Sequence, residues 1–219
     1  MNTKNNYTIQ KQLVSMIFSF FLLSFLLSCL SSPQFAIEKE EKKLSRLICM
    51  KGLLEPRELS HFFMQENPHA DAQKVWALAN FYVKEAQDEG INSDIAFVQM
   101  CLETGFLRFG GLVSEDMNNF CGLGAISREE PGLRFPSMEI GVRAHIQHLQ
   151  AYACTRDLQK ELVDPRYKWV QPRGKSPSIY GLAGTWASDQ AYGEKLDALL
   201  ERLESFLLTN CCSKKIFFF

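Results

Sequence analysis

No CxxC pair occurs among the seven cysteines of this 219-residue chain, and no cysteine–histidine cluster has zinc-finger spacing. The HExxH pattern of zinc hydrolases is also missing. Only four histidines are present. His145 and His148 share a helical face at i, i+3, which reads as a solvated or backbone-bonded face rather than a metal site. The reading therefore includes no metal and no cofactor. Net charge is also small, −1 at pH 7, so no basic field exists to gather nucleic acid. A neutral or anionic polymer held by hydrogen bonds and stacking stays admissible. Strong strand-period segments and internal repeats are absent as well. What remains is ordinary globular material, 46% hydrophobic and 22% charged, enough for one mostly α domain.

One uncharged run stands apart. Lys4 and Lys11 precede Leu13 to Leu27, a length that suits a signal h-region better than a membrane span. The run ends Leu26-Leu27-Ser28-Cys29, which resembles a bacterial lipoprotein processing site. That resemblance implies a signal peptide over residues 1–28 and lipidation of Cys29. Ordinary cleavage nearby, or an uncleaved anchor helix extended through Ile37, are open alternatives. Each places the globular part outside the cytoplasm. The lipoprotein reading makes it an exported, membrane-anchored protein of the cell envelope, facing the periplasm or the surface. Loss of residues 1–28 removes two lysines and no acid, leaving a net charge of −3. A disulfide such as Cys101 with Cys121 is possible in that setting, and free buried thiols are equally open for Cys101, Cys121 and Cys154.

Residues 29–54 read as a tether, 55–209 as the domain and 210–219 as a disordered tail. The spacing predicts a helix from Pro56 to before Asn67-Pro68 and another from Asp71 to Glu89, stopped by Gly90. A third follows an Asn92-Ser93-Asp94 cap and runs to Gly105. Ser137 caps a fourth, Met138 to about Thr155, and Ser188 caps the last, with Tyr192, Leu196, Leu199, Leu200, Leu203 and Phe206 on its apolar face. Two long irregular segments, Phe106 to Pro136 and residues 156–187, separate these helices. Loops of that length usually carry function.

The sharpest signal is Glu103. Ala96, Gln99, Met100 and Glu103 share one face of the third helix, with Glu103 in its last turn beside Gly105. Apolar neighbours and the negative end of the helix dipole both disfavour its ionised form. A carboxyl that stays protonated near neutral pH is what a glycosidic leaving oxygen needs. Position alone also fits an exposed Glu that merely ends a helix. The wider pattern decides. Gln99-Met-Cys-Leu-Glu103-Thr-Gly-Phe106, then Asn118-Asn119-Phe120-Cys121-Gly122-Leu123, then Thr185-Trp186-Ala-Ser-Asp189-Gln-Ala-Tyr192-Gly-Glu-Lys195 resemble, in order, three motifs of the glucosaminidase family of glycoside hydrolases. The likeness covers roughly residues 71–205.

This resemblance implies a lysozyme-like α domain with a small irregular or β lobe. It also implies hydrolysis of the β-1,4 bond after N-acetylglucosamine in peptidoglycan, with Glu103 as general acid. Asn118 and Asn119 would bind sugar hydroxyls or N-acetyl groups, or else cap a turn. Phe106, Phe120 and Trp186 would offer flat faces to sugar rings, or pack in the core, and Tyr192 would complete the substrate site. The implied partners are glycan strands and, through the lipid anchor, a membrane. Three departures stand out. Trp186 occupies a usual Tyr position and lacks its hydroxyl, the ring after Asn119 is shifted by one place, and no second carboxylate is obvious. Glu130 is the favoured candidate, ahead of Glu129, Glu115 and Asp116. Without one, the substrate's N-acetyl group can act as nucleophile. A non-catalytic glycan binder and a muramidase or lytic transglycosylase are the competing readings.

Overall fold

The computed structural model describes residues 43–213. Cys29, the stretch expected as a signal peptide and the tail beyond Ser213 lie outside the described residues. Five α-helices are present among those described: α1 (Pro56–Glu66), α2 (Ala72–Glu89), α3 (Ser93–Thr104), α4 (Met138–Ala153) and α5 (Tyr192–Ser213). Extended pairing among the described residues is limited to isolated bridges, Leu47 with Ser178 and Ala183 with Ala187. None of the described helices is long and apolar enough to cross a membrane.

Local chemistry sets the boundaries. Pro56 opens α1, where Glu55 and Glu58 form a reciprocal capping box. The Asp71 carboxylate takes the Gln73 and Lys74 N–H groups at the head of α2. At α3 the Asn92 side chain accepts from Asp94 N at 3.0 Å, and Gly105 ends the helix in the left-handed region at φ 58°. Every residue from Ser93 to Cys101 is buried, so α3 is a core helix rather than an amphipathic one. It sits between α2 and α5, while α2 packs along α4 and beside α1. The buried Asp94 carboxylate accepts from Leu53 N at 2.8 Å and Leu54 N at 3.1 Å.

Three expected boundaries move. Residues 44–54 are not a tether: Leu44, Ile48 and Leu54 are buried in the core. Ile48 N donates to Pro177 O at 2.9 Å, Asn92 N donates to Ile48 O at 2.8 Å, and Arg46 pairs with Asp197 and Glu204 of α5. Burying the Leu44, Ile48 and Leu54 side chains gains more than leaving the segment a free tether would. α5 begins at Tyr192 rather than just after Ser188, because Asp189 holds a turn first, its carboxylate accepting from Ala191 N at 2.9 Å and its carbonyl from Tyr192 N at 3.2 Å. At its other end α5 continues past Asn210 to Ser213.

Between α3 and α4 the chain forms an irregular lobe containing one short 3-10 turn, Glu115–Met117. The lobe docks on α4 at Gly141. A Cβ at this position would stand 1.8 Å from the backbone oxygen of Asn118. Gly141→Ala should therefore push the lobe off α4 and lower unfolding stability by about 1–3 kcal/mol, at the upper end because the obstructing atom is backbone. Urea unfolding monitored by circular dichroism checks this, and an unchanged midpoint would show that the contact is not needed.

Candidate active site

A cavity of about 360 Å³ opens between the C-terminal end of α3, the lobe and the start of α5. Glu103, Asn119, Cys121, Gly122, Trp186 and Tyr192 are among its lining residues. Glu103 is accessible from this cavity, yet its walls crowd the carboxyl enough to strip part of its hydration. Burial accordingly raises its pKa above the ordinary glutamate value. Two hydrogen bonds work in the opposite direction, from Tyr192 and from Trp186, and do not cancel the desolvation.

Both bonds end on the same oxygen. Trp186 Nε1 donates to Glu103 Oε1 at 3.0 Å, and the Tyr192 hydroxyl makes a short hydrogen bond to it. An indole N–H can only donate, so Oε1 must accept. The acid proton of neutral Glu103 therefore belongs on Oε2. That oxygen faces Gly122, with room to spare: even an added Cβ there would stand 3.9 Å away.

Behind Tyr192 runs a buried polar string. Gln99 Nε2 donates to Tyr192 Oη at 2.9 Å, Gln99 Oε1 meets His145 Nε2 at 3.1 Å, and His145 Nδ1 meets Tyr82 Oη at 2.8 Å. Because Tyr192 spends its proton on Glu103, it must accept from the Gln99 amide. The Gln99 oxygen then faces His145, whose Nε2 carries the proton, and Nδ1 accepts from Tyr82. Burial, with His148 nearby, lowers the His145 pKa to about 3, so the ring is neutral. All four bonds point toward Glu103. Neither His145 nor His148 shares a ligand geometry with the other, since His148 Nδ1 bonds the buried Asp164 at 2.7 Å. The string was only partly foreshadowed. Gln99 stood out as the polar residue sharing the Glu103 face, but His145 read as solvated or backbone-bonded because partners 46 and 63 positions away leave no local trace.

Several expected substrate contacts turn out to be structural. Asn119 donates both amide hydrogens to backbone, to Leu123 O at 2.9 Å and Leu133 O at 2.9 Å, and accepts from Leu123 N at 2.9 Å. Asn118 ends the 3-10 turn at φ 51° and donates to Phe135 O at 3.0 Å. Asn119 thus spends its amide on the lobe's backbone, and Asn118 commits one amide hydrogen there. Phe120 is fully buried, and Phe106 packs its ring 5.4 Å from Phe63 and 6.0 Å from Phe62. Trp186 and Tyr192 do reach the cavity, and both touch the acid itself. The Trp186 ring rests against His148, Tyr152 and His145 at centroid distances of 5.2, 5.4 and 5.7 Å.

A second carboxylate does not join Glu103. Among the described residues lining the cavity, Glu103 is the only acid. Glu130 is exposed in a turn where its carbonyl accepts from Ile126 N at 2.9 Å and its N–H is held by the Ser127 hydroxyl at 3.2 Å. Glu129 bonds Ser127, Glu115 pairs with Lys74, and Asp116 pairs with Arg134.

A family model described as mannosyl-glycoprotein endo-β-N-acetylglucosaminidase, of the glucosaminidase family, matches residues 79–205. A Borreliella burgdorferi protein described as uncharacterized is 39% identical over 172 residues, covering 78% of this chain and 84% of that protein.

The two donors on Oε1 favour the carboxylate, so removing one must raise the Glu103 pKa further. Tyr192→Phe should shift the Glu103 titration, followed by carbon NMR of its labelled carboxyl, to higher pH. It should also cost about 1–2 kcal/mol of stability, because the buried Gln99 amide loses its acceptor. A midpoint that stays in place or moves down would break the assignment of Tyr192 as the donor.

Proposed function

This chain belongs to the glucosaminidase family, a peptidoglycan-hydrolysing glycosidase family, and on that premise we propose that it is an endo-β-N-acetylglucosaminidase cutting the β-1,4 bonds of bacterial peptidoglycan. Glu103 is the general acid, on a lysozyme-like α domain. The observation that carries this reading is the Glu103 carboxyl: one oxygen fixed by two donors, the other facing an open cavity, and a pKa raised by burial. Oε2 passes its proton to the glycosidic oxygen as the bond to the anomeric carbon breaks, and the bonding pair leaves with that oxygen.

The absence of a second carboxylate among the described lining residues favours the substrate's own N-acetyl carbonyl oxygen as nucleophile. It bonds the anomeric carbon from the opposite face. Water then opens the resulting ring, giving up its proton to the Glu103 carboxylate. Two displacements at one carbon retain its configuration. A single carboxylate also suits a lytic transglycosylase, so product chemistry must separate the two. The Leu-Leu-Ser-Cys29 ending extends the proposal to an exported lipoprotein held at a membrane by Cys29. Fatty-acid labelling that leaves the full chain unlabelled would remove the anchor.

Digested peptidoglycan should carry new reducing-end N-acetylglucosamine, seen first by NMR as the β-anomer. Anhydromuramic ends would instead show a transglycosylase, and α-anomer first would demand a second base. Glu103→Gln should fold normally and lose about two to four orders of magnitude in turnover. Glu130→Gln should stay close to the unmutated rate. Activity should decline at alkaline pH with a midpoint above the ordinary glutamate value, because the acid form is lost as pH rises through the raised pKa. A folded Glu103→Gln protein at near-normal turnover would eliminate Glu103 as the acid.

A further inference from the structure

Two thiols that the proposed chemistry does not use meet on the far side of the domain. Ile48 O accepts from Asn92 N at 2.8 Å, which lays the segment around Cys49 against the turn after α2. The Arg156 guanidinium donates to Gly90 O at 2.9 Å on that same turn. Cys154 lies between, just past α4, its N–H bonded to Gln150 O at 2.9 Å. There the Cys49 and Cys154 thiols lie within interaction range of each other, with the Arg156 guanidinium beside both. Both thiols are partly exposed, which gives a small reagent access. Cys101 and Cys121, one pairing that the sequence leaves open, are buried in separate apolar clusters.

We propose that Cys49 and Cys154 are a disulfide site, which ties the segment leading into the domain to the C-terminal end of α4. The Cys49 thiol, then Arg156, stabilises the Cys154 thiolate and lowers its pKa, which makes Cys154 the attacking sulfur. The oxidant is an external disulfide, small-molecule or protein. The Cys154 thiolate attacks one of its sulfurs and expels the other as thiolate, leaving a mixed disulfide on Cys154. Cys49 then loses its proton to solvent and attacks the Cys154 sulfur, expelling the second thiolate. Two protein thiols are oxidised, and the external disulfide is reduced to two thiols. The link closes a loop of roughly one hundred residues, so it restricts the unfolded chain strongly. It also holds Ile48 against Asn92, the cap residue of the helix that carries Glu103.

The test uses the full chain equilibrated with oxidised glutathione, free thiols then blocked by alkylation, and tryptic peptides mapped without reduction. The expected product is residues 47–51 joined to residues 144–156, two hydrogens lighter than the separate peptides. Reductant should lower the thermal midpoint by roughly 5–10 °C. Cys49→Ser and Cys154→Ser should each abolish that redox dependence. Recovery of the two peptides unlinked, whether alkylated or singly glutathionylated, overturns the proposal. So does a serine variant at either position that keeps the redox-dependent shift. Peptide mapping needs no variant, so a misfolded mutant does not shelter the idea.

Discussion

The hydrogen bond from Tyr192 to Glu103 joins the last turn of α3 to the first residue of α5, and the arrangement of the site follows from it. Gly105 stops α3 one turn beyond the core, which leaves Glu103 at the cavity edge instead of inside the bundle. Asp189 delays the start of α5 until Tyr192, which brings that hydroxyl level with the carboxylate. Trp186 is set beside it by a turn in which its N–H bonds Leu182 O at 2.9 Å. Three local stops, each set by one or two residues, thus converge on one oxygen atom.

Behind that oxygen, burial turns a chain of ordinary hydrogen bonds into a directional one. Tyr82, Gln99 and His145 are fully buried, where an unpaired polar atom is costly and each group has only one partner on each side. Desolvation, with His148 acting in the same direction, lowers the His145 pKa to about 3 and keeps the ring neutral above it. The consequence for stability has a definite sign. The unfolded histidine takes up a proton as pH falls through its ordinary value near 6.5, while the folded one does not until about 3. The unfolded chain binds more protons across that window, so the fold loses stability on acidification, while the string keeps its direction. At the pH values where Glu103 changes charge, His145 does not.

Much of the fold was legible because its signals are local. Pro56 opens a helix, Asp71, Asn92 and Ser137 each cap one within three residues of themselves, and Gly90 and Gly105 end two. Glu103 was legible for the same reason, as an acid in the last turn of an apolar helix. Long-range partners were not. Asn119 looks like a sugar ligand in sequence, but its amide is spent on Leu123 and Leu133, up to fourteen positions away. Phe106 and Phe120 look like stacking platforms, but the aromatic side chains of α1 and the core claim them first. The segment from Leu44 to Leu54 is short of helical or strand period, so only its docking on α5 and on the turn at Asn92 reveals that it belongs to the core.

Trp186 shows how a departure from the family pattern can be absorbed. A phenol at this position would be both donor and acceptor, free to rotate and take a proton from a neutral carboxyl. The indole cannot accept. Its N–H is also held in place, because the ring is wedged against His148, Tyr152 and His145, and His148 is itself pinned by Asp164. Oε1 therefore remains an acceptor whether Glu103 is charged or neutral. With both donors on Oε1, the proton of neutral Glu103 is favoured on Oε2, on the cavity side. What the tryptophan gives up is a hydroxyl for positioning water or an N-acetyl group. What it contributes is a fixed donor to one oxygen of the Glu103 carboxyl.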